Sequence, residues 1–447
     1  MPRFFVVAIV FVATLEACRT DRVASAPSVR QVVIAPVQEP LLVMQPEALS
    51  ATVISTTGEV LSQSLLIWGS SDSTVATVSS TGVVMPRKTG TVRITAISGT
   101  VGASVDLVIH MRWLDLRLGR SSTGACGIGA DSAAYCWGTT VGLADGIPPL
   151  RPTLVSDNHK YRSIGFTGGS ACAIASDGHV FCWGNNDFGQ LGDGTKISSR
   201  VPVQVNGVSN AIQIAVGNNF ACATTSLDLL FCWGADDFGQ IGDGMGSTGL
   251  TLPTTQLTNV PPVAQLSLSG LHGCALAVNA ELYCWGYSPY AGVPTTSYLV
   301  TPARAVPSLT LRDLTASMYL TCGTATVGGI YCWGLGAGGP NSPSLVPGTG
   351  GLNGVVVTSI SKPHYCAIGP SGVYCWGWAL ALGYGSAVND IATPTLLPGS
   401  ESFVRLEASE TTTCALTAKG VAYCWGDSAL GDGTTRRSAT PVVVADP

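Results

Sequence analysis

The chain has 447 residues, with 22 Lys plus Arg against 27 Asp plus Glu and a formal net charge of −5. Charged residues make up 11% of it, under half the roughly 25% of an average soluble domain, and no Lys/Arg cluster stands anywhere along it. A nucleic-acid binder carries a basic patch or stripe, so composition excludes that class, and the length suits two domains rather than one.

Residues 1–18 read as an export signal. Arg3 gives a short basic start, Phe4 to Val12 an apolar core, and Ala17 a small residue before the cut. A membrane-spanning helix needs about 20 apolar residues, more than this run holds. Leu15-Glu16-Ala17-Cys18 resembles a bacterial lipobox. That resemblance implies lipidation of Cys18, attachment to the membrane through the lipid, and a place in the cell envelope at the outer membrane or cell surface. Residues 19–28 form a short polar tether.

Residues 29–110 contain no cysteine and alternate like strands at Val32–Ile34, Ala51–Ile54, Leu65–Trp68, Val75–Val78, Gly82–Val84, Val92–Ile97 and Val105–Ile109. Short strands between Gly/Ser/Thr turns predict a β-sandwich. The stretch from Trp68 through Gly82 to Val84 resembles the bacterial immunoglobulin-like domain of intimin- and invasin-type surface proteins, where such domains serve as spacers and adhesion modules. Trp68 is expected in its core. The join at His110-Met111-Arg112 is too short for a flexible linker.

From residue 112 to the C-terminus the chain repeats. Fourteen of its fifteen cysteines form seven pairs: Cys126 and Cys136, Cys172 and Cys182, Cys222 and Cys232, Cys274 and Cys284, Cys322 and Cys332, Cys366 and Cys375, Cys414 and Cys424. Trp-Gly follows the second member of each pair, and Cys18 is the one left over. The second copy shows why the spacing matters. With Ser176-Asp177-Gly178 as a three-residue hairpin loop, Ala175 faces His179 and Cys172 falls opposite Cys182. Residues paired across antiparallel strands lie roughly 4.5–5.5 Å apart, within reach of a disulfide. The sixth pair is one residue closer, and a two-residue turn at Pro370-Ser371 restores the pairing. Seven disulfides are expected, each closing a loop worth at most about 2–3 kcal/mol. Such bonds persist outside the cytosol, in keeping with the export signal. Zinc would need closely spaced Cys-x(2–4)-Cys ligands, which are missing.

Alternation puts Cys182 on one face of its strand, with Phe181 and Trp183 on the other. Both faces are apolar, so each hairpin must be covered on both sides. An apolar run precedes each hairpin (Ile212–Val216, Phe403–Leu406), and a Pro-led strand follows most (Pro202–Val205, Pro441–Val444). Four strands per unit of about 40–50 residues is the propeller plan. The repeat Cys-Ala-x(4)-Gly-x-Val-Phe-Cys-Trp-Gly-Asn-x-x-Phe-Gly-Gln-Leu-Gly-Asp-Gly resembles that of the regulator of chromosome condensation family. The resemblance implies an all-β, seven-bladed β-propeller over 112–447. Its loop motif is full at Gly189-Gln190-Leu191-Gly192 and Gly239-Gln240-Ile241-Gly242, and shortened or lost in repeats one, four, five and six. One shared loop site is therefore not expected.

Little in the chain reads as chemistry. His272 and His364, each two residues before a paired Cys, are expected as structural histidines. No nucleophile motif or phosphate-cradling loop is present. The acids at Asp193-Gly194, Asp243-Gly244 and Asp432-Gly433 are expected to cap their own turns, with calcium as the alternative and no cofactor otherwise. Aromatic residues Phe188, Phe238, Trp378 and Tyr384 are candidate surface contacts. The expected function is non-enzymatic: a cell-surface binding or scaffold protein whose propeller face recognises a protein or glycan. Alternatives are inhibition of a secreted enzyme, as an exported bacterial member of the same family does to a β-lactamase, hydrolase or lyase chemistry in the central channel, and guanine-nucleotide exchange, which an exported chain has no GTPase to serve.

Overall fold

The computed structural model describes residues 28–447, apart from 38–39, 63, 120–123, 139–148, 156, 168, 246–250, 294–297, 335–338, 358–363, 379–380, 386–389, 400 and 428–429. The export signal, Cys18 and nearly all of the tether lie outside the described residues.

The described residues are almost entirely β-strand and turn. Residues 29–110 build three small sheets. Val29–Ile34 pairs with Ala51–Ser55, a four-stranded sheet runs Leu41–Leu42, Val101–His110, Gly90–Ser98, Ile67–Ser70, and a third joins Glu47–Ala48, Val83–Pro86 and Ala76–Val78. Val92, Ile94 and Ala96 alternate inward along one strand; Val92 and Ile94 pack with Leu41, Val84, Leu107 and Ile109, and Ala96 packs with Val32 and Val53. Trp68 is half-buried between the two clusters of this core. Its indole closes over Gly82, where a Cβ would stand 2.9 Å from the ring.

Beyond residue 112, seven four-stranded sheets follow in sequence order, each built from one contiguous stretch. These are the seven blades of the propeller. Blade 2 has an inner strand Tyr161–Phe166, a hairpin of Ser170–Ala175 and Val180–Gly184, and an outer strand Ser199–Gln204. The register is the expected one: Ile174 opposite Val180, Ala173 opposite Phe181, Cys172 opposite Cys182. Gly178 takes the left-handed conformation the loop requires (φ 87°). In blade 6 Gly369 pairs with Gly372 across Pro370-Ser371.

Every expected cysteine pair is disulfide-bonded. Cys126 is joined to Cys136, Cys172 to Cys182, Cys222 to Cys232, Cys274 to Cys284, Cys322 to Cys332, Cys366 to Cys375 and Cys414 to Cys424, with Cα atoms 4.0–4.1 Å apart. The outer strands begin before their prolines, at Ser199 and Ser438. A bulge between Cys182 and Gly184 lets Gly184 meet Ser199, and proline is tolerated because the strand is an edge.

Each seam between blades follows one rule. The disulfide of one blade packs in the same buried cluster as the Cys-Trp-Gly tryptophan of the next. Cys126 and Cys136 pack with Trp183, Cys172 and Cys182 with Trp233, Cys222 and Cys232 with Trp285, Cys274 and Cys284 with Trp333, Cys322 and Cys332 with Trp376, Cys366 and Cys375 with Trp425. Packing of Cys414 and Cys424 with Trp137 closes the ring. Cysteine looks one way from each strand and tryptophan the other, so every hairpin offers sulfur to one neighbour and an indole to its other neighbour.

Inner strands of different blades share no backbone ladder, so side chains bind them together. Gln213 donates to the Val263 and Ala264 carbonyls at 3.2 and 3.1 Å. Gln265 does the same one blade on, donating to the Leu314 carbonyl at 2.8 Å and accepting from its N–H at 3.0 Å. Asp313 accepts from the Gly354 N–H at 2.9 Å, and Asp115 from the Ile164 N–H at 3.2 Å. Where the last blade meets the first, charge takes over. Arg405 reaches Asp115 at 2.6 Å and Arg117 reaches Glu407 at 2.5 Å, with the two crossed pairs at 3.6 Å.

The Asp115 side chain is only 6% exposed. Arg405→Met removes the closer of its two cationic partners, and stability is expected to fall by about 1–3 kcal/mol. Adding Asp115→Asn should recover part of the loss. Chemical denaturation of the three variants checks this.

Candidate functional site

An antiparallel four-stranded blade has two ends. Loops between its first two and last two strands share one end, here the loop face. The tight hairpins and the blade-to-blade connections share the other, the hairpin face. The immunoglobulin-like domain enters at Trp113, the start of an inner strand, and so joins the hairpin face. Ala130 of the first hairpin packs against that domain's core. Near the C-terminus Asp446 accepts from the Met111 N–H at 2.6 Å and bonds His110 Nδ1 at 2.9 Å, fixing the join.

On the loop face, blades 3 to 5 bring five aromatic rings into a continuous file. Phe238 meets Tyr298 with ring centroids 5.3 Å apart, Tyr298 meets Tyr287 at 5.9 Å, Tyr287 meets Tyr290 at 5.1 Å and Tyr290 meets Tyr319 at 5.4 Å. Tyr298 is 49% exposed and the other four are half-buried. The rings meet at steep or tilted angles, which suits the quadrupole of each. Burial pushes the Tyr290 hydroxyl above its usual range, with Tyr287 and Tyr319 adding to the effect, so it remains a protonated donor at neutral pH.

Two buried histidines support this face. Thr321 Oγ1 donates to the Tyr290 carbonyl at 2.9 Å, so its lone pair must receive the Nε2–H of His272, 2.9 Å away. Nδ1 of His272 then accepts from Ser269 Oγ at 2.9 Å. The same relay recurs between blades 6 and 7: His364 Nε2 to Thr413 Oγ1 at 2.9 Å, and Thr413 Oγ1 to the Ala381 carbonyl at 3.1 Å. Both histidines hold neighbouring blades together.

The Gly-Gln-Leu-Gly loops prove to be sockets for the next blade's tryptophan. Trp233 Nε1 donates to the Gln190 carbonyl at 3.0 Å and Trp285 Nε1 to the Gln240 carbonyl at 2.7 Å. A Cβ at Gly192 would stand 2.9 Å from Trp233. Repeats four and six, where the motif reads as lost, keep the contact through Gly292 against Trp333 and Gly383 against Trp425. The Asp-Gly turns cap themselves: Asp193 and Asp432 accept from the N–H and hydroxyl of Thr195 and Thr434, and Asp243 from the Met245 N–H. Among the described residues no group of three or more His, Cys, Asp or Glu is arranged to hold a metal ion.

The four candidate contact aromatics separate. Phe238 belongs to the file. Phe188, 37% exposed, occupies the same position one blade earlier. Trp378 is half-buried. Tyr384 is not a free surface ring. It folds back over its own blade, accepting from the Cys375 N–H at 3.2 Å and donating to the Thr395 carbonyl, and burial lifts its hydroxyl to about 12. Tyr287, Tyr290 and Tyr298 of repeat four and Tyr319 of repeat five escape a reading of the repeat motif because neither repeat keeps that motif. The signal was there in composition: four of the chain's 12 tyrosines (Tyr283, Tyr287, Tyr290 and Tyr298) fall within residues 283–298.

The central channel, about 410 Å³, is lined by inner strands of all seven blades. It is lined by the acids Asp313 and Glu407 and by Arg117 and Arg405. Both acids are bonded to a neighbouring blade, Asp313 to Gly354 and Glu407 to Arg117.

Family models match the chain in two places. The bacterial Ig-like domain (group 2) covers residues 29–109, and models of the regulator of chromosome condensation (RCC1) repeat cover 177–224, and 161–190 with 211–240. The chain carries RCC1 repeats behind a bacterial Ig-like domain. Solved structures agree on the fold. Yeast RCC1 (Prp20) bound to Kap60 aligns at 17% identity and a TM-score of 0.59, over 70% of this chain and 83% of that one. Prp20p from Saccharomyces cerevisiae aligns at 17% and 0.59, over 75% and 88%. At this identity the likeness concerns the fold alone. The yeast propeller was solved with a protein, Kap60, bound to it. Here, seven disulfides beside a bacterial Ig-like domain point to an extracellular location.

The RCC1-repeat ring also predicts a pH dependence. Burial holds His364 down at about 3, against about 6.5 in the unfolded chain. Above pH 6.5 both states are neutral and the residue contributes nothing. As pH falls towards 3 the unfolded chain gains a proton that the folded one refuses. Stability drops by up to about 1.4 kcal/mol per pH unit from this site. His364→Gln should flatten the slope between pH 6.5 and 3 in urea titrations.

Proposed function

We propose that this chain is an exported, non-enzymatic binding protein that engages a protein partner through the loop face of blades 3–5. The observation that carries the reading is the file Phe238, Tyr298, Tyr287, Tyr290, Tyr319, set on the face opposite the Ig-like domain. Tyrosine is enriched at recognition surfaces because it supplies a large rigid area and a polar tip at low entropic cost. Blades stapled by disulfides lose little further freedom on association. Channel acids bonded to neighbouring blades are poorly placed to act as free acid–base groups, which favours binding over hydrolysis. Lipidation at Cys18 would hold the chain at the membrane, with the Ig-like domain as spacer. Nucleotide exchange would require an intracellular GTPase.

A photo-crosslinking residue at Tyr298, in cells that export the chain, is expected to yield discrete protein adducts. The same residue at Val327, 88% exposed on the hairpin face, should yield none. Adducts from Val327 and none from Tyr298 would overturn the assignment of the face. Adducts of glycan alone would overturn the class of partner.

A further inference from the structure

We infer that the aromatic file takes a basic polypeptide surface, with Lys or Arg side chains lying on the Tyr and Phe rings and paired with Asp237. This rests on the reading that the loop face of blades 3–5 is where a partner docks, and adds the chemistry of that partner.

The warrant is a charge asymmetry. Between Arg200 and Arg304 the sequence contains no Lys or Arg, yet it carries Asp228, Asp236, Asp237, Asp243 and Glu281. The nearest cations downstream are engaged at the opposite face: Arg304 pairs with Glu281 at 2.7 Å, and Arg312 donates to the Thr326 carbonyl at 2.5 Å. Asp228 and Glu281 lie in hairpins and belong to that face too. Asp236 is buried, its Oδ1 accepting from the Ile241 N–H at 2.9 Å. Asp237, which is exposed, remains at the rim of the file; Asp243 is half-buried, with one oxygen accepting from the Met245 N–H at 2.8 Å and the other enclosed.

Geometry joins the Asp237 carboxylate to the rings. The loop that carries Asp237, Phe238 and Asp243 is seated on the start of the blade 4 outer strand. The Gly244 N–H donates to the Val300 carbonyl at 2.6 Å, and a Cβ at Gly239 would touch Leu299 and Val300. Phe238 is thereby placed against Tyr298. Ring faces carry negative quadrupole charge and attract ammonium and guanidinium groups. The exposed Asp237 carboxylate strengthens the attraction and repels anions. A neutral sugar would gain nothing from the missing cations, whereas a basic side chain gains from both features.

A fluorescein-labelled peptide of alternating Lys and Gly, titrated with the full chain and read by anisotropy, tests this. It should bind, and bind more weakly as ionic strength rises. A peptide of alternating Glu and Gly should not. Tyr298→Ala with Phe238→Ala should weaken the Lys peptide about tenfold, and Asp237→Asn about threefold. Unchanged melting temperatures will show that the variants fold. Equal binding of the Glu peptide, or Lys-peptide binding indifferent to the ring variants, overturns the inference. If the Lys peptide fails to bind while Tyr298 still cross-links to protein, the docking face stands and the basic partner falls.

Discussion

The propeller depends on the packing of a disulfide from one blade against a tryptophan from the next. The contact arises from strand alternation. Cysteine and tryptophan are adjacent in sequence and so point to opposite sides of one strand, and a hairpin with two such faces cannot be stable alone. It must be stacked, and stacking seven of them closes a ring. Each indole is buried among apolar side chains and polarizable sulfur. Each disulfide also fixes the register of the hairpin it spans, so the surface offered to the next indole is the same in every blade.

That seam explains how the chain can be so poor in charge and still be specific. The few polar groups facing the channel are consumed in bonding one inner strand to the next, by Gln in the middle blades and by two Arg–carboxylate pairs where the ends of the ring meet. The last junction has no covalent continuity, since every blade is built from its own stretch of chain. It is closed by Trp137 packed on Cys414 and Cys424, by the Arg405–Asp115 and Arg117–Glu407 pairs, and by Asp446 bound to the interdomain join. With the channel committed to structure, recognition is left to the loops, and blades 3–5 are where those loops set the aromatic file.

Much of this was legible in the sequence. Counting outward from Ser176-Asp177-Gly178 gives the pairing of Cys172 with Cys182, and the same count in the other repeats gives Cys126 with Cys136, Cys222 with Cys232, Cys274 with Cys284, Cys322 with Cys332 and Cys414 with Cys424. The missing residue in repeat six gives the turn at Pro370-Ser371. Hairpin register is a local property, set by loop length and alternation. The identity of the covering neighbour is not local: that Cys172 and Cys182 meet Trp233 rather than Trp183 depends on how blades stack. The purpose of the Gly-Gln-Leu-Gly loops is hidden for the same reason, because they seat an indole 43 or 45 residues away. Tyr319 joins Tyr290 only across a blade boundary, so no repeat taken by itself contains the aromatic file. Tyr384 reads as an exposed loop residue because nothing local shows that its hydroxyl reaches Thr395.

A double-mutant cycle on the second seam tests the stacking rule most directly. Unfolding free energies would be measured for the Cys172→Ala plus Cys182→Ala variant combined in turn with Trp233→Phe and with Trp183→Phe. Packing of the disulfide on the following blade predicts a coupling energy of about 1 kcal/mol with Trp233 and close to none with Trp183, its neighbour in sequence. Coupling to Trp183 with none to Trp233 would contradict it.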